Sequence, residues 1–185
     1  MRCVLFRLRG LFFLIIALGF SSAFAASPPV PPPVVEAPKP LEAGSREWER
    51  ILPVAQNFKT DGEAAAASHK PILIFFNLTG CHYCRGALRE VIVPMFRNAE
   101  WRAAMEFRQV TVDDGKSLVD FNGKTIENIT FARNRKGTFT PTVMLVDDKG
   151  QLLGDPIVGI SNFDFYGAYV DALAKKAIEE MRARK

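Results

Sequence analysis

The sequence predicts an α/β domain: a central mixed β-sheet flanked by helices. A continuous apolar run, Ile72 to Phe76, is followed by a short turn and then by apolar residues at helical spacing. Further apolar runs follow around Phe107 to Val112 and Thr142 to Val146, with helix-patterned segments between them. The order is βαβ and then ββα, closed by a long helical stretch from Phe163 to Arg184. A chain of 185 residues with 48% hydrophobic content suffices for one well-cored domain and hardly two.

The first 25 residues carry Arg2, Arg7 and Arg9 and no acid, then the apolar stretch Leu11 to Phe20, then the small-residue pattern Ala23-Phe24-Ala25. This reads as a secretory signal peptide over residues 1–25, which makes the mature protein periplasmic. An uncleaved membrane anchor is the alternative, but a bilayer needs roughly twenty apolar residues, about twice this core. Cys3 leaves with the leader, so the mature chain keeps Cys81 and Cys84. Without the three leader arginines, 21 of the 24 Lys and Arg face 20 Asp and Glu. The near-neutral balance and the lack of a basic stripe interleaved with aromatics argue against nucleic-acid binding.

Residues 26–44 form a proline-rich linker, stiff and extended in the polyproline manner. The folded domain is expected over 45–185. Ser45 is positioned to cap a helix through Trp48, Ile51, Leu52, Ala55 and Phe58, with a kink risk at Pro53. A second short helix starts near Asp61, on the alanine run Ala64 to Ala67. Ile72 to Phe76 is too uniformly apolar for a half-exposed strand and too short for a typical helix, so it reads as a strand buried on both faces. After the turn Asn77 to Gly80, Cys84, Ala87, Leu88, Val91, Ile92 and Met95 form one helical stripe. A short helix around Trp101 precedes a strand through Phe107, Val110 and Val112. Lys116 to Lys124 is irregular or a small β excursion, and Thr125 is a candidate cap for a helix through Ile126, Ile129, Phe131 and Ala132. Thr142 to Val146 is a strand, Asp147 to Gly150 a hairpin turn, and a second arm runs through Leu152 and Leu153. A last strand covers Ile157 to Ile160. The closing helix carries Phe165, Tyr169, Ala172, Leu173 and Lys176 at helical offsets.

Chemistry concentrates in Cys81-His82-Tyr83-Cys84, at the strand-to-helix junction. A bridge across so short a loop removes little chain entropy, so its expected purpose is reactivity rather than bracing. Cys81 falls in the first turn of the helix, where unpaired amides and the helix field favour a thiolate. Cys84 falls on the buried stripe. Cys81 is therefore the expected attacking thiol, and Cys84 the group that resolves the mixed disulfide. His82 and Tyr83 either tune the sulfur or serve as exposed spacer. Arg85 and Arg89, a turn apart, either add positive potential or form a solvated pair.

On the motif at this junction, on Thr140-Pro141 opening a central strand, on the Asp147 to Gly150 hairpin and on Gly159 before the last helix, the chain resembles the thioredoxin-like superfamily from about Trp48 onward. It looks most like periplasmic thioredoxin-related proteins, the SoxW-like group and the catalytic domain of DsbC-type isomerases, whose pattern Tyr83 and Thr140 match. The resemblance implies a cis Thr140–Pro141 bond lying against the dithiol, with the Thr140 backbone pairing to an extended client segment. It also implies client proteins with cysteines or disulfides as partners, a membrane electron donor and no cofactor. The proline-rich arm stands where isomerases carry a dimerisation domain, so a monomer is expected.

Phe75 and Gly80 depart from the cytosolic thioredoxin pattern, which has a buried acid and a tryptophan at these positions. An apolar residue in place of the acid removes the usual route for deprotonating Cys84, which argues against efficient general reduction of the thioredoxin kind, and the spacer is neither the Gly-Pro of thioredoxin nor the Pro-His of strong oxidants. The expected function is an exported thiol–disulfide oxidoreductase, reductase-like or isomerase-like rather than a primary oxidant. A copper or zinc metallochaperone using Cys81, Cys84 and His82 is the first alternative; with His69 and His82 the only histidines, the chain has no second pair to complete a tetrahedral set. A non-catalytic binding module is the second.

Overall fold

A computed structural model describes residues 46–184. The expected leader (1–25), the proline-rich linker (26–44) and Ser45 lie outside the described residues.

Strand β1 (Ile72–Asn77) is buried along its whole length. It pairs in parallel with β2 (Glu106–Thr111) on one side and antiparallel with β5 (Thr142–Val146) on the other. β6 (Ile157–Val158) completes the order β2-β1-β5-β6. Side chains alternate across this mixed sheet and divide the core into two layers. Leu73, Phe75, Phe107, Val143 and Leu145 belong to one, together with Cys84, Leu88, Tyr166, Val170 and Ala174. Ile72, Ile74, Phe76, Val110, Met144 and Val146 belong to the other, with Phe58, Ala65, Phe131 and Ala132.

The first layer is roofed by α2 (His82–Ala87), a π turn (Leu88–Ile92), α3 (Val93–Arg97) and the long α6 (Phe163–Ala183). All six residues of the expected stripe after the motif are buried. The helix is not continuous, however, because Pro94 has no N–H for the carbonyl four residues back and the wider π turn takes up the mismatch. α4 (Ala99–Ala104) begins at Asn98, whose side chain accepts from the amides of Glu100 and Trp101. The second layer is covered by α1 (Phe58–Ser68) and α5 (Asn128–Asn134).

Several boundaries differ from expectation. No helix runs from Trp48 to Phe58: a 3-10 turn (Arg46–Arg50) gives way to extended chain that bridges β2 at Val54–Gln109. Pro53 cannot donate within a helix, and its carbonyl accepts from the Gln109 amide instead. α1 starts at Phe58, earlier than Asp61, because Asn57 caps it through the amides of Lys59 and Thr60. Thr125 does not cap a helix. It opens β4 (Thr125–Glu127), which pairs with β3 (Ser117–Val119) in a small antiparallel sheet, so the β excursion is real and α5 starts only at Asn128. Beyond Asp147 to Gly150 the second arm makes a bridge at Val146–Leu152 rather than a strand. β6 stops at Val158, where Gly159 takes φ +68°. On α6 the buried stripe is Tyr166, Val170, Ala174, Ala177, Ile178 and Met181, whereas Phe165 and Tyr169 face solvent.

Asp147, 2% exposed, ties the end of the chain to the sheet. One oxygen accepts the amides of Lys149 and Gln151, and the other accepts from Arg184 at 2.7 Å. Asp147→Ala removes the buried carboxylate that holds all three donors and is expected to lower the unfolding free energy by about 3 kcal/mol. Arg184→Ala costs less, because Arg184 is largely in solvent and the carboxylate keeps its backbone donors. Urea unfolding of both variants checks the order; equal costs contradict it.

The Tyr166 hydroxyl is buried without a partner in the protein, and burial pushes its ionisation above the usual phenol range. The neutral ring is the form the fold accepts, so this contribution to stability is present below about pH 10 and is lost as pH rises further. Tyr166→Phe is expected to gain about 1 kcal/mol at pH 7 and to flatten the alkaline fall in stability, read from unfolding midpoints across pH.

Candidate active site

β1 ends at Asn77 and the chain turns through Leu78, Thr79 and Gly80. The Cys81 amide bonds the Leu78 carbonyl at 3.2 Å, and Gly80 at φ +73° supplies a backbone conformation that a side chain would strain. Asp113, just past β2, accepts the Thr79 amide at 2.8 Å and holds this turn to the neighbouring strand. Cys81 is the N-cap residue of α2, with its sulfur 3.1 Å from the Cys84 amide. The Cys81 carbonyl accepts from Arg85 at 3.1 Å.

The two sulfurs are joined, with S–S 2.09 Å and Cα–Cα 5.2 Å. Cys84 is 2% exposed and packs in the apolar layer under α2, whereas Cys81 is partly buried at the edge of that layer. The asymmetry expected from the spacing is present in the geometry. The Thr140–Pro141 peptide bond is cis. It brings the Thr140 hydroxyl to 3.9 Å from the Cys81 sulfur, and the Pro141 carbonyl accepts from Gly159 at 2.8 Å. Thus Cys81, Cys84, Thr140 and Pro141, separated by 59 positions between first cysteine and threonine, meet at one place.

Around them lies an aromatic collar. Tyr83 is 57% exposed and stacks on Phe163 at 6.4 Å with 9° between the planes, and the His82 ring meets Tyr83 edge-on at 6.0 Å. Phe163 crosses α2 above Gly86, where a Cβ would fall 2.6 Å from its ring. On the other side Phe139, 68% exposed, covers Gly159. A groove of about 750 Å³ opens between α2 and the start of α6, lined by His82, Arg85, Arg89, Phe163 and Asp164. Phe139 and Phe163 carry no motif of their own in the sequence. Phe163 falls at helical spacing from Tyr166 and Val170, on the buried face of α6, so periodicity alone did not mark it as a residue of the site.

The two arginines are ion-paired. Arg85 lies 3.7 Å from Glu49 and Arg89 2.6 Å from Glu90, so each carries a compensating carboxylate rather than bare positive potential. Phe75 is wholly buried, and Gly80 is exposed. His69 caps the far end of α1, away from the motif in sequence and element. Among the described residues, no group of three or more His, Cys, Asp or Glu side chains converges to hold a metal ion.

A mixed four-stranded sheet that delivers a dithiol pair to a helix start, facing a cis-proline turn, defines a class of scaffold for disulfide chemistry. The profile of the thioredoxin-like domain matches residues 58–174, and the chain belongs to that family. No curated protein matches the sequence. Among solved structures, the chain is similar to a thioredoxin-fold protein from Helicobacter pylori at 16% identity and TM-score 0.46, over 76% of this chain and 97% of that one. A DsbH oxidoreductase matches at 17% identity and TM-score 0.46, over 68% of this chain and 88% of that one. The periplasmic thioredoxin SoxS from Paracoccus pantotrophus matches at 22% identity and TM-score 0.39, over 58% and 99% respectively. Family membership and the bonded Cys81–Cys84 pair together support thiol–disulfide oxidoreductase chemistry in general.

The difference in burial makes a direct prediction. In the reduced native protein, iodoacetamide is expected to modify Cys81 at least about 100-fold faster than Cys84, reflecting thiolate character and access. Mass spectrometry should find one adduct under native conditions and two in urea. Equal rates at the two sulfurs contradict the assignment.

Proposed function

We propose that the protein is an exported thiol–disulfide oxidoreductase that exchanges disulfides with client proteins. The observation that carries this reading is the pair itself: one sulfur at the edge of the core, hydrogen-bonded by a helix-start amide, bonded to a second sulfur sealed beneath it. Cys81 attacks and Cys84 resolves. The leaving or attacking Cys81 thiolate is stabilised by the Cys84 amide and the Thr140 hydroxyl, both aimed at one sulfur.

Thr140 and Pro141 present an extended client segment beside the dithiol, with Tyr83 and Phe139 flanking it. His82 and Tyr83 are the spacer of the motif. The preference for a reductase or isomerase-like role over a primary oxidant follows from the motif, whose spacer differs from that of strong oxidants. Reduction by a membrane electron donor, action as a monomer and residence in the periplasm complete the reading. The basic leader with its short apolar core supports export, and 45–185 is the span assigned to the catalytic domain. Among the described residues, no helix is long and apolar enough to cross a membrane.

Cys84→Ala, expressed in an exporting cell, is expected to retain client proteins covalently on Cys81, released by reductant on a non-reducing gel. Cys81→Ala retains none. Capture of nothing by Cys84→Ala, together with stoichiometric copper or zinc on the wild type, overturns the assignment in favour of a metal carrier.

A further inference from the structure

Cys84 lies in an apolar layer, where a thiol holds its proton more firmly than in water. It must nevertheless attack as a thiolate, so resolution of a mixed disulfide calls for a base that can reach a buried sulfur. Phe75, beneath it on β1, is apolar and offers none.

One step further along the strand, the same face of the sheet turns polar. Asn77 follows Phe75 on the side that carries α2, and Gln109 and Thr111 lie opposite these two on β2. Asn77 and Gln109 are 3% and 2% exposed, and Oδ1 of one and Oε1 of the other have no hydrogen-bond partner in the protein. Both line a cavity of about 400 Å³, which Glu49, Thr79, Thr111 and Asp114 also line. Buried acceptors in a polar cavity of this size draw their donors from ordered water.

Glu49 joins this cavity to α2. A carboxylate oxygen lies 3.7 Å from Arg85, the residue after Cys84, and the Glu49 backbone carbonyl accepts from the Gln109 side chain at 2.7 Å. Trp48 and Leu52, which flank it, pack in the same cluster as Cys84.

We propose that Glu49, acting through water held by Asn77 and Gln109, accepts the Cys84 proton when the mixed disulfide is resolved. The proposal rests on the dithiol-exchange reading above. In the step, the Cys84 S–H proton passes to the Glu49 carboxylate and the thiolate attacks the Cys81 sulfur. The Cys81–Cys84 bond forms, the Cys81–client bond breaks, and its electron pair leaves on the client sulfur. The client disulfide gains two electrons, which the dithiol loses. The elements around Glu49 bring Arg85 from α2, Arg89 from the π turn and Arg97 from α3, where it lies over the Trp48 ring. Glu47 and Arg50 share its turn, and Asp114 and Lys116 line the cavity with it.

The test is a two-phase reaction of reduced protein with a chromogenic aryl disulfide. Attack by Cys81 releases the first aryl thiolate, and resolution by Cys84 releases the second. Glu49→Gln is expected to leave the first phase within about twofold and to slow the second at least tenfold, proton-transfer assistance being worth roughly 10²–10⁴. Arg85→Gln breaks the ion pair but keeps the carboxylate, and is expected to retain the second phase. An unchanged first phase establishes that the motif is folded in each variant. A second phase in Glu49→Gln as fast as in wild type, or one slowed equally by Arg85→Gln, overturns the proposal. Failure of the exchange reading is separate: the wild type itself then releases no second equivalent.

Discussion

The full burial of β1 is the constraint on which the site depends. A strand hydrogen-bonded on both edges and covered on both faces has no freedom to slip, because a shift of one residue would carry Leu73 and Phe75 into the layer of Ile72 and Ile74. Its end is therefore fixed in space, and the turn that follows is clamped to the adjacent strand end by Asp113. Cys81 receives its position from this chain of constraints. β5, the other neighbour of β1, fixes Thr140 and Pro141 in the same way, so the two halves of the site are registered through a single strand.

The unequal burial of the two cysteines follows from that position. A three-residue separation at a helix start puts one sulfur at the cap and the next one turn inside, on the stripe that faces the sheet. Neither sulfur needs a special local sequence for this. The same spacing placed mid-helix would leave both amides engaged in the helix and give the outer sulfur no donor.

What could be read in the sequence was what repeats at a period or lies next to itself in the chain. Ile72 to Phe76, the stripe from Cys84 to Met95, and Thr142 to Val146 were legible because apolar periodicity is set by burial alone. The failures share a cause in longer-range partners. Trp48 to Phe58 has helical spacing, but the β2 edge competes for its backbone and Pro53 settles the contest. Thr125 looks like a cap until β3 supplies a strand partner. On α6 two apolar stripes were available, and the aromatic-rich one with Phe165 and Tyr169 was the wrong one to bury. Cys81, Cys84, Thr140 and Pro141 could be named from the sequence, the last two through the family resemblance, whereas Glu49, Asn77, Gln109, Phe139 and Phe163 enter only through tertiary packing.

The electrostatics near Cys81 are short-ranged. Arg85 and Arg89 look like a positive field in the sequence, yet Glu49 and Glu90 lie against them. A compensated pair projects a dipole rather than a charge, and its influence at a sulfur a turn away falls quickly in water and salt. The groups that reach the sulfur directly are the Cys84 amide at 3.1 Å and the Thr140 hydroxyl at 3.9 Å. Both act at the edge of an apolar layer, where screening is weaker than in open water. The hydrogen bonds at the Cys81 sulfur are thus tied to the geometry of the cap and of the Thr140–Pro141 turn, which β1 and β5 set.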